Sequence, residues 1–169
     1  MPEDIYVMPC GGTKLVGHTA SLFLGQKVRP VVLLDGDDAG RARSNALMKE
    51  LYAGQEKAVL MLSEVLGKAE CEIEDLFGEA VLLPFVNDFL QKKLTLTAID
   101  RTAGSLPDQI EAAAARQGID LVKGWKHEVA RLLSVKWSAT DPASIPVDVL
   151  DRAEKLFHTL TERFENLQP

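Results

Sequence analysis

The chain has 169 residues, of which 46% are hydrophobic, and this suits one folded domain of ordinary size, with or without an appendage. No apolar run approaches the roughly 20 residues of a membrane span, and the N-terminus lacks the basic and apolar regions of a signal peptide. A formal net charge of −6 argues against binding nucleic acid through bulk positive charge. Cys10 and Cys71 match no zinc-site spacing, which favours free thiols in a cytoplasmic protein.

The first part of the chain predicts strands that alternate with helices. A short strand is expected over residues 5–8, a helix ends at Gly25, and residues 31–34 form an apolar run typical of a strand covered on both faces. A second helix leads to Gly54, and residues 58–62 predict another buried strand. The short connections in this order indicate an α/β fold with a parallel sheet flanked by helices.

After about residue 70 the apolar pattern becomes helical. A bend or break is expected near Pro84, because proline disturbs a helix interior. The helical segments are expected over residues 71–93, 107–118, 120–135 and 145–167. The sequence therefore predicts an α/β domain over residues 1–84 and a mostly helical C-terminal subdomain over residues 85–169.

Three acidic residues follow the predicted strand over residues 31–34. Because parallel α/β sheets bind ligands at the carboxyl ends of their strands, Asp35 and Asp37 are expected at the binding edge. Residues i and i+2 of an extended strand end point the same way, so both carboxylates can converge on one cation. Asp38 points away and is expected to cap the next helix. Two carboxylates with open water positions suit Mg²⁺ or Mn²⁺.

The stretch VVLLDGDDAG, residues 31–40, resembles the Asp-x-Asp motif of a TOPRIM domain, the metal-binding fold of topoisomerases, primases and several nucleases. With IYVMPCGGTK before it and IEDLF after it, the chain resembles the C-terminal nuclease region of the OLD (overcoming lysogenization defect) family of ATP-dependent endonucleases. Those proteins join an ABC-type ATPase to a TOPRIM nuclease and act in phage defence. KHEVA, residues 126–130, resembles the lysine motif of that region.

The resemblance implies a site for hydrolysis of DNA phosphodiesters by two metal ions. Asp35, Asp37 and Glu74 would be ligands of Mg²⁺ or Mn²⁺, and Asp75 is the alternative to Glu74. Lys126 would be the catalytic cation that stabilises the charge on the scissile phosphate.

Basic residues near these motifs are candidates for contacts to DNA. Arg41 and Arg43 follow the Asp-x-Asp motif, and Lys123 lies in a basic stretch over residues 121–137. Basic residues at such positions can equally be solvated on helix faces, and this alternative applies to Lys126 as well.

The start of the chain differs from the TOPRIM pattern, which ends its first strand with a glutamate in an EG-like motif. No such glutamate follows residues 5–8, while Glu3 and Asp4 precede the predicted strand and would lie at its opposite end. The first βα unit and the ATPase are therefore expected to be missing. A second copy or a partner chain is expected to cover the exposed sheet edge and to supply the missing strand or ATPase.

Three functional hypotheses stay open. The first is a metal-dependent DNA endonuclease module of the OLD type, located in the cytoplasm and without membrane contact. The second is a catalytically inactive TOPRIM remnant that serves as a DNA- or protein-binding subunit. The third is a phosphatase of the haloacid-dehalogenase type, in which Asp35 would be the nucleophile. The third requires an Asp-x-Asp motif close to the N-terminus and a late acidic pair, and the IEDLF context fits it poorly.

Overall fold

The computed structural model of the chain describes residues 5–167, and it is mostly helical with a small two-stranded parallel sheet. The predicted α/β class is confirmed at this level. The chain forms two compact units: the first joins the residues up to Glu70 to those from Arg152 onward, and the second is Cys71–Asp151. The domain boundary between residues 84 and 85 stays a prediction from the residue pattern.

The first unit contains the sheet and is called the α/β unit here. Its strands β1 (Val32–Leu34) and β2 (Val59–Met61) pair in parallel, with Val32 opposite Val59 and Leu34 opposite Met61. Parallel neighbours need a crossover connection, and the helix between the two strands provides it. The elements in chain order are α1 (Thr13–Gly25), β1 (Val32–Leu34), α2 (Asp38–Glu50), β2 (Val59–Met61) and α3 (Leu62–Leu66).

The prediction of a strand over residues 5–8 is wrong. This stretch has no regular secondary structure, and the side chains of Tyr6, Val7 and Met8 are exposed. Strand-forming residues make a strand only where a neighbouring strand takes up their backbone hydrogen bonds. Within residues 5–167 the sheet contains β1 and β2 alone, so this stretch has no strand beside it.

The core of the α/β unit lies between the strands and the helices that flank them. The last helix, α7 (Val147–Leu167), contributes to this unit, because Leu167 belongs to its apolar cluster and Arg163 donates to the Val59 carbonyl at 2.6 Å. The other buried members of the cluster are Val16, Ala20, Val32, Leu34, Leu47, Tyr52, Ala58 and Val59.

The second unit, Cys71–Asp151, is called the helical unit here, and its core is formed mainly by three helices. Pro84 lies inside the first of them without ending it, so the predicted break is absent there. Ser105 caps the second helix through a hydrogen bond from the Asp108 N–H, as the sequence SLPD favours. The three helices are α4 (Glu79–Leu90), α5 (Leu106–Arg116) and α6 (Trp125–Ser138).

Candidate functional site

The acidic loop, residues 35–40, lies where β1 ends and α2 begins. Asp35 and Asp37 are half-buried there, whereas Asp38 is exposed. Because β1 and β2 are parallel, the loop is at the carboxyl edge of the sheet, where α/β proteins bind ligands. The structure therefore places the two carboxylates of the Asp-x-Asp motif in one short loop at the predicted edge.

The N-cap of α2 is Asp37, and the prediction that Asp38 caps this helix is wrong. Asp37 has extended backbone angles, φ −99° and ψ 177°, and its Oδ1 accepts a hydrogen bond from the Gly40 N–H at 2.6 Å. A capping side chain reaches the N–H group three residues on from just outside the helix, and Asp38 is already the first helical residue. The cap uses Oδ1 of Asp37 and does not use Oδ2.

Gly40 permits a very close approach inside the acidic loop. A Cβ atom at this position would lie 2.1 Å from the carbonyl oxygen of Asp35 and 3.0 Å from Oδ1 of Asp37. Side chains cannot approach a backbone oxygen this closely, so the local geometry requires a glycine. The curvature that follows Asp35 therefore depends on Gly40.

The guanidinium of Arg41 is engaged inside the α/β unit. Its Nη1 donates to the carbonyl oxygens of Gly36 at 2.8 Å and Ala69 at 3.2 Å, and its Nη2 donates to carboxylates of Asp38 at 2.8 Å and Glu70 at 2.5 Å. The hydrogen bond to Asp38, followed by that to Glu70, raises the pKa of Arg41 above its ordinary value. The predicted DNA contact of Arg41 would therefore compete with four protein acceptors.

The other two predicted DNA contacts lie in different surroundings. Arg43, on α2, is half-buried and donates to the Lys14 carbonyl at 3.2 Å. Lys123 is exposed in the turn that precedes α6. Contacts of both residues to DNA stay predictions.

The acids of the IEDLF motif lie in a 3₁₀ turn, Ile73–Leu76. The carboxylate of Asp75 accepts a hydrogen bond from the Glu72 N–H at 2.9 Å and from the Leu106 N–H at 3.1 Å. Asp75 therefore joins this turn to the N-terminus of α5, which is a structural role. Glu74 is half-buried in the same turn.

Glu72 is a residue that the sequence analysis did not single out. The ammonium of Lys126, on α6, forms a hydrogen-bonded ion pair with Oε2 of Glu72. The buried hydroxyl of Ser105 donates to the other oxygen, Oε1, at 2.9 Å. Glu72 and Lys126 are 54 residues apart, so no spacing rule connects them, and the only local signal is a further acid two positions before Glu74.

The electrostatic environment keeps Lys126 protonated. Burial is the largest single effect and lowers the pKa of this side chain, whereas the hydrogen bond and the charge of Glu72 raise it. The charges of Glu74 and Glu111 act in the same direction, and the pKa of Lys126 lies above its ordinary value as a result. The group predicted to meet a phosphate is thus a full positive charge that already has a carboxylate partner.

The predicted site residues fall into one set in each unit. Within residues 5–167, no three or more His, Cys, Asp or Glu side chains form a group that could hold a metal ion. Asp35 and Asp37 nevertheless fit Mg²⁺, which proteins often bind through one or two carboxylates with water and phosphate oxygens in the other positions. Glu3 and Asp4 lie outside the described residues.

The predicted site residues of the α/β unit are Asp35, Asp37, Arg41 and Arg43. Those of the helical unit are Glu74, Asp75, Lys123 and Lys126.

Comparison with models of protein families, with curated proteins and with solved structures found no match to this chain. In the part of the chain that the structure describes, no helix has the length and apolar character needed to cross a membrane.

Proposed function

We propose that the chain is a metal-dependent DNA endonuclease module that hydrolyses phosphodiester bonds and resembles the nuclease region of the OLD family. The observation that carries this proposal is the acidic loop, which holds Asp35 and Asp37 at the carboxyl end of β1. A parallel strand pair that ends in an Asp-x-Asp loop is the arrangement in which a TOPRIM domain presents its ligands.

Asp35 and Asp37 are the residues that would hold the first Mg²⁺ or Mn²⁺ ion, and Glu74 would hold a second. A bound divalent cation neutralises phosphate charge and makes an attacking water more acidic. Oδ2 of Asp37 suits this role, since the helix cap uses the other oxygen. Asp75 is a weaker choice of ligand, because backbone N–H groups already occupy its carboxylate.

Lys126 would add positive charge at the scissile phosphate as its charge increases during cleavage. Its raised pKa supports this role, because the ammonium stays protonated at neutral pH. The same proposal includes a second copy of the chain or a partner chain at the exposed sheet edge, together with an ATPase.

A second candidate is a catalytically inactive subunit that binds DNA or protein. One observation favours it: Arg41 and Lys126, two of the cations predicted to face DNA phosphates, are both paired with carboxylates of the chain. Ion pairs of this kind fix the positions of side chains in a fold, and no catalytic role is needed to account for them.

The test is the nicking of supercoiled plasmid by the full chain with Mg²⁺ or Mn²⁺. Asp37→Asn is the sharpest variant, because asparagine is as good an N-cap as aspartate but removes the negative charge of the ligand. We expect nicking by the wild type, its loss in Asp37→Asn and Asp35→Asn, and no change in Asp151→Asn, which alters an exposed acid on α7.

The other outcomes separate the alternatives. If the wild type does not nick the plasmid but binds DNA or a protein, the result would support the hypothesis of a catalytically inactive subunit. An aspartyl-phosphate trapped on Asp35 would indicate a phosphatase of the haloacid-dehalogenase type.

A further inference from the structure

Arg41 connects two stretches of the α/β unit through one guanidinium. Nη1 bonds the peptide carbonyl of Gly36, and Nη2 bonds the carboxylate of Asp38, so two contacts lie within the acidic loop. The remaining contacts, to the Ala69 carbonyl and the Glu70 carboxylate, lie in a second stretch 28 and 29 residues further along the chain. The loop is therefore tied to a part of the chain remote in sequence.

The position of the Gly36 contact matters most. Gly36 is buried and lies between the two candidate ligands, Asp35 and Asp37. A hydrogen bond to its carbonyl limits rotation of the Gly36–Asp37 peptide, one of the two peptide units between the candidate ligands. A guanidinium suits this role because it is planar and carries several N–H donors in a fixed arrangement. A lysine ammonium lacks this planar arrangement of donors.

Arg41 also compensates for the negative charge around the loop. It pairs with Asp38 at 2.8 Å and with Glu70 at 2.5 Å, two carboxylates that would otherwise add repulsion near Asp35 and Asp37. The guanidinium is partly exposed, so each ion pair alone contributes little to stability. The effect expected from the four contacts is on the geometry of the loop rather than on global stability.

We propose that Arg41 is a positioning residue of the candidate metal site, which holds the Gly36 peptide so that Asp35 and Asp37 keep the orientation needed to bind one cation. This inference rests on the proposed function for the identity of the site. It replaces the DNA contact predicted for Arg41 from sequence.

The experiment measures Mn²⁺ binding to the full chain without DNA, by the EPR signal of the free ion, together with amide hydrogen exchange over residues 35–41. We expect Arg41→Ala to weaken Mn²⁺ binding about 10-fold, as loss of a group that orients metal ligands commonly does, and to speed exchange in the acidic loop. Arg41→Lys keeps the positive charge but should weaken Mn²⁺ binding almost as much as Arg41→Ala does. Lys49→Ala removes an exposed cation from the same helix and should match the wild type.

Three results would overturn the proposal: unchanged Mn²⁺ affinity and exchange in Arg41→Ala, an equal loss in Lys49→Ala, or absence of Mn²⁺ binding by the wild type. A separate titration with duplex DNA covers the alternative: if Arg41→Ala keeps its Mn²⁺ affinity and loses DNA affinity, the proposal is overturned and Arg41 returns to the role of a DNA contact. Failure of the proposed function has a different signature, since a wild type that binds Mn²⁺ but does not nick DNA contradicts the nuclease alone. In that case the comparison of Arg41→Ala with Lys49→Ala still decides the role of Arg41.

Discussion

The carboxylate of Glu72 accepts a hydrogen bond from the ammonium of Lys126 on one oxygen and a hydrogen bond from the hydroxyl of Ser105 on the other. Ser105 is buried at the N-cap of α5, so Glu72 is held from a rigid helix end and in turn holds a side chain of α6. This arrangement gives Lys126 a defined position and a defined charge.

Glu72→Gln should lower the pKa of Lys126. Burial depresses this pKa, and Glu72 is the main group that raises it, so loss of its charge lets the effect of burial dominate. The measurement is a pH titration of the lysine Cε signals by NMR. Glu79→Gln, which breaks the pair between Glu79 and Arg101, should leave the titration of Lys126 unchanged, and an equal shift in both variants would contradict the assignment.

Gly40→Ala should destabilise the chain by about 1–3 kcal/mol, the usual range for an overpacked site. The new Cβ would lie 2.1 Å from the Asp35 carbonyl oxygen, and this backbone atom cannot move away without disturbing the acidic loop. Gly25→Ala is the matched control, because no atom lies within 4 Å of its added Cβ. Urea unfolding should show the loss in the first variant only, and a Gly40→Ala protein of wild-type stability would show that the loop is open at this point.

Tyr52 should make the folded chain sensitive to alkaline pH. Burial raises its pKa from 10.0 to about 12, so the unfolded chain releases the phenolic proton first as the pH rises. The contribution of protonated Tyr52 to the free energy of unfolding is fully present below pH 10. It is lost as the pH rises to about 12, and its size is on the order of 2 kcal/mol.

The measurement for Tyr52 is urea unfolding at pH 9 and pH 11.5. Tyr52→Phe should lose less stability between these two values than the wild type, since the phenolic contact to the Pro30 carbonyl is long, at 3.4 Å, and its removal costs little. Tyr6→Phe alters an exposed ring and should retain the wild-type dependence. The same pH dependence in wild type and Tyr52→Phe would refute this role.

Asp100 should stabilise the helical unit above acidic pH. Its carboxylate is buried and accepts two hydrogen bonds from Arg116, at 2.9 and 2.7 Å, and two from Thr97, both at 2.7 Å. The hydrogen bonds from Arg116, followed by those from Thr97, hold the pKa of Asp100 well below its usual range. The stabilisation is therefore complete above pH 3.8, the ordinary value, and is lost as the pH falls below it.

Asp100→Asn should lower the urea midpoint at pH 6, and its difference from the wild type should shrink at pH 3. Asp88→Asn changes an exposed acid on α4 and should differ little from the wild type at either pH. A constant difference at both pH values would mean that the charge of Asp100 is not what stabilises the unit.

Local patterns predicted most of the secondary structure. The apolar runs predicted β1 and β2, and the residue patterns predicted α1, α5 and α7 close to their observed ends, because these signals depend on neighbouring residues. The predicted segment for α6 overlaps the observed helix, which begins at Trp125 rather than at residue 120. The stretch over residues 5–8 has the same strand-forming composition but forms no strand, because a strand also needs a partner that the local sequence does not specify.

The acidic loop shows where local information ends. The sequence placed Asp35 and Asp37 at the end of a strand, but a shift of one residue in the start of α2 made Asp37 rather than Asp38 the cap. Cap identity depends on backbone angles to within one residue, and helix ends are the least certain feature of any residue pattern.

The sequence by itself determined the α/β class, the strands β1 and β2, the positions of α1, α5 and α7, and the acidic end of β1, since each depends on residues close together in the chain. Only the tertiary structure decided what the charged side chains contact. It brought Glu72 to Lys126 across 54 residues and Glu70 to Arg41 across 29, and it gave Gly40 its close approach to Asp35. A charged residue on a helix gives the same sequence pattern whether its side chain faces water, a phosphate or a carboxylate. Only the packing of remote segments selects among these surroundings.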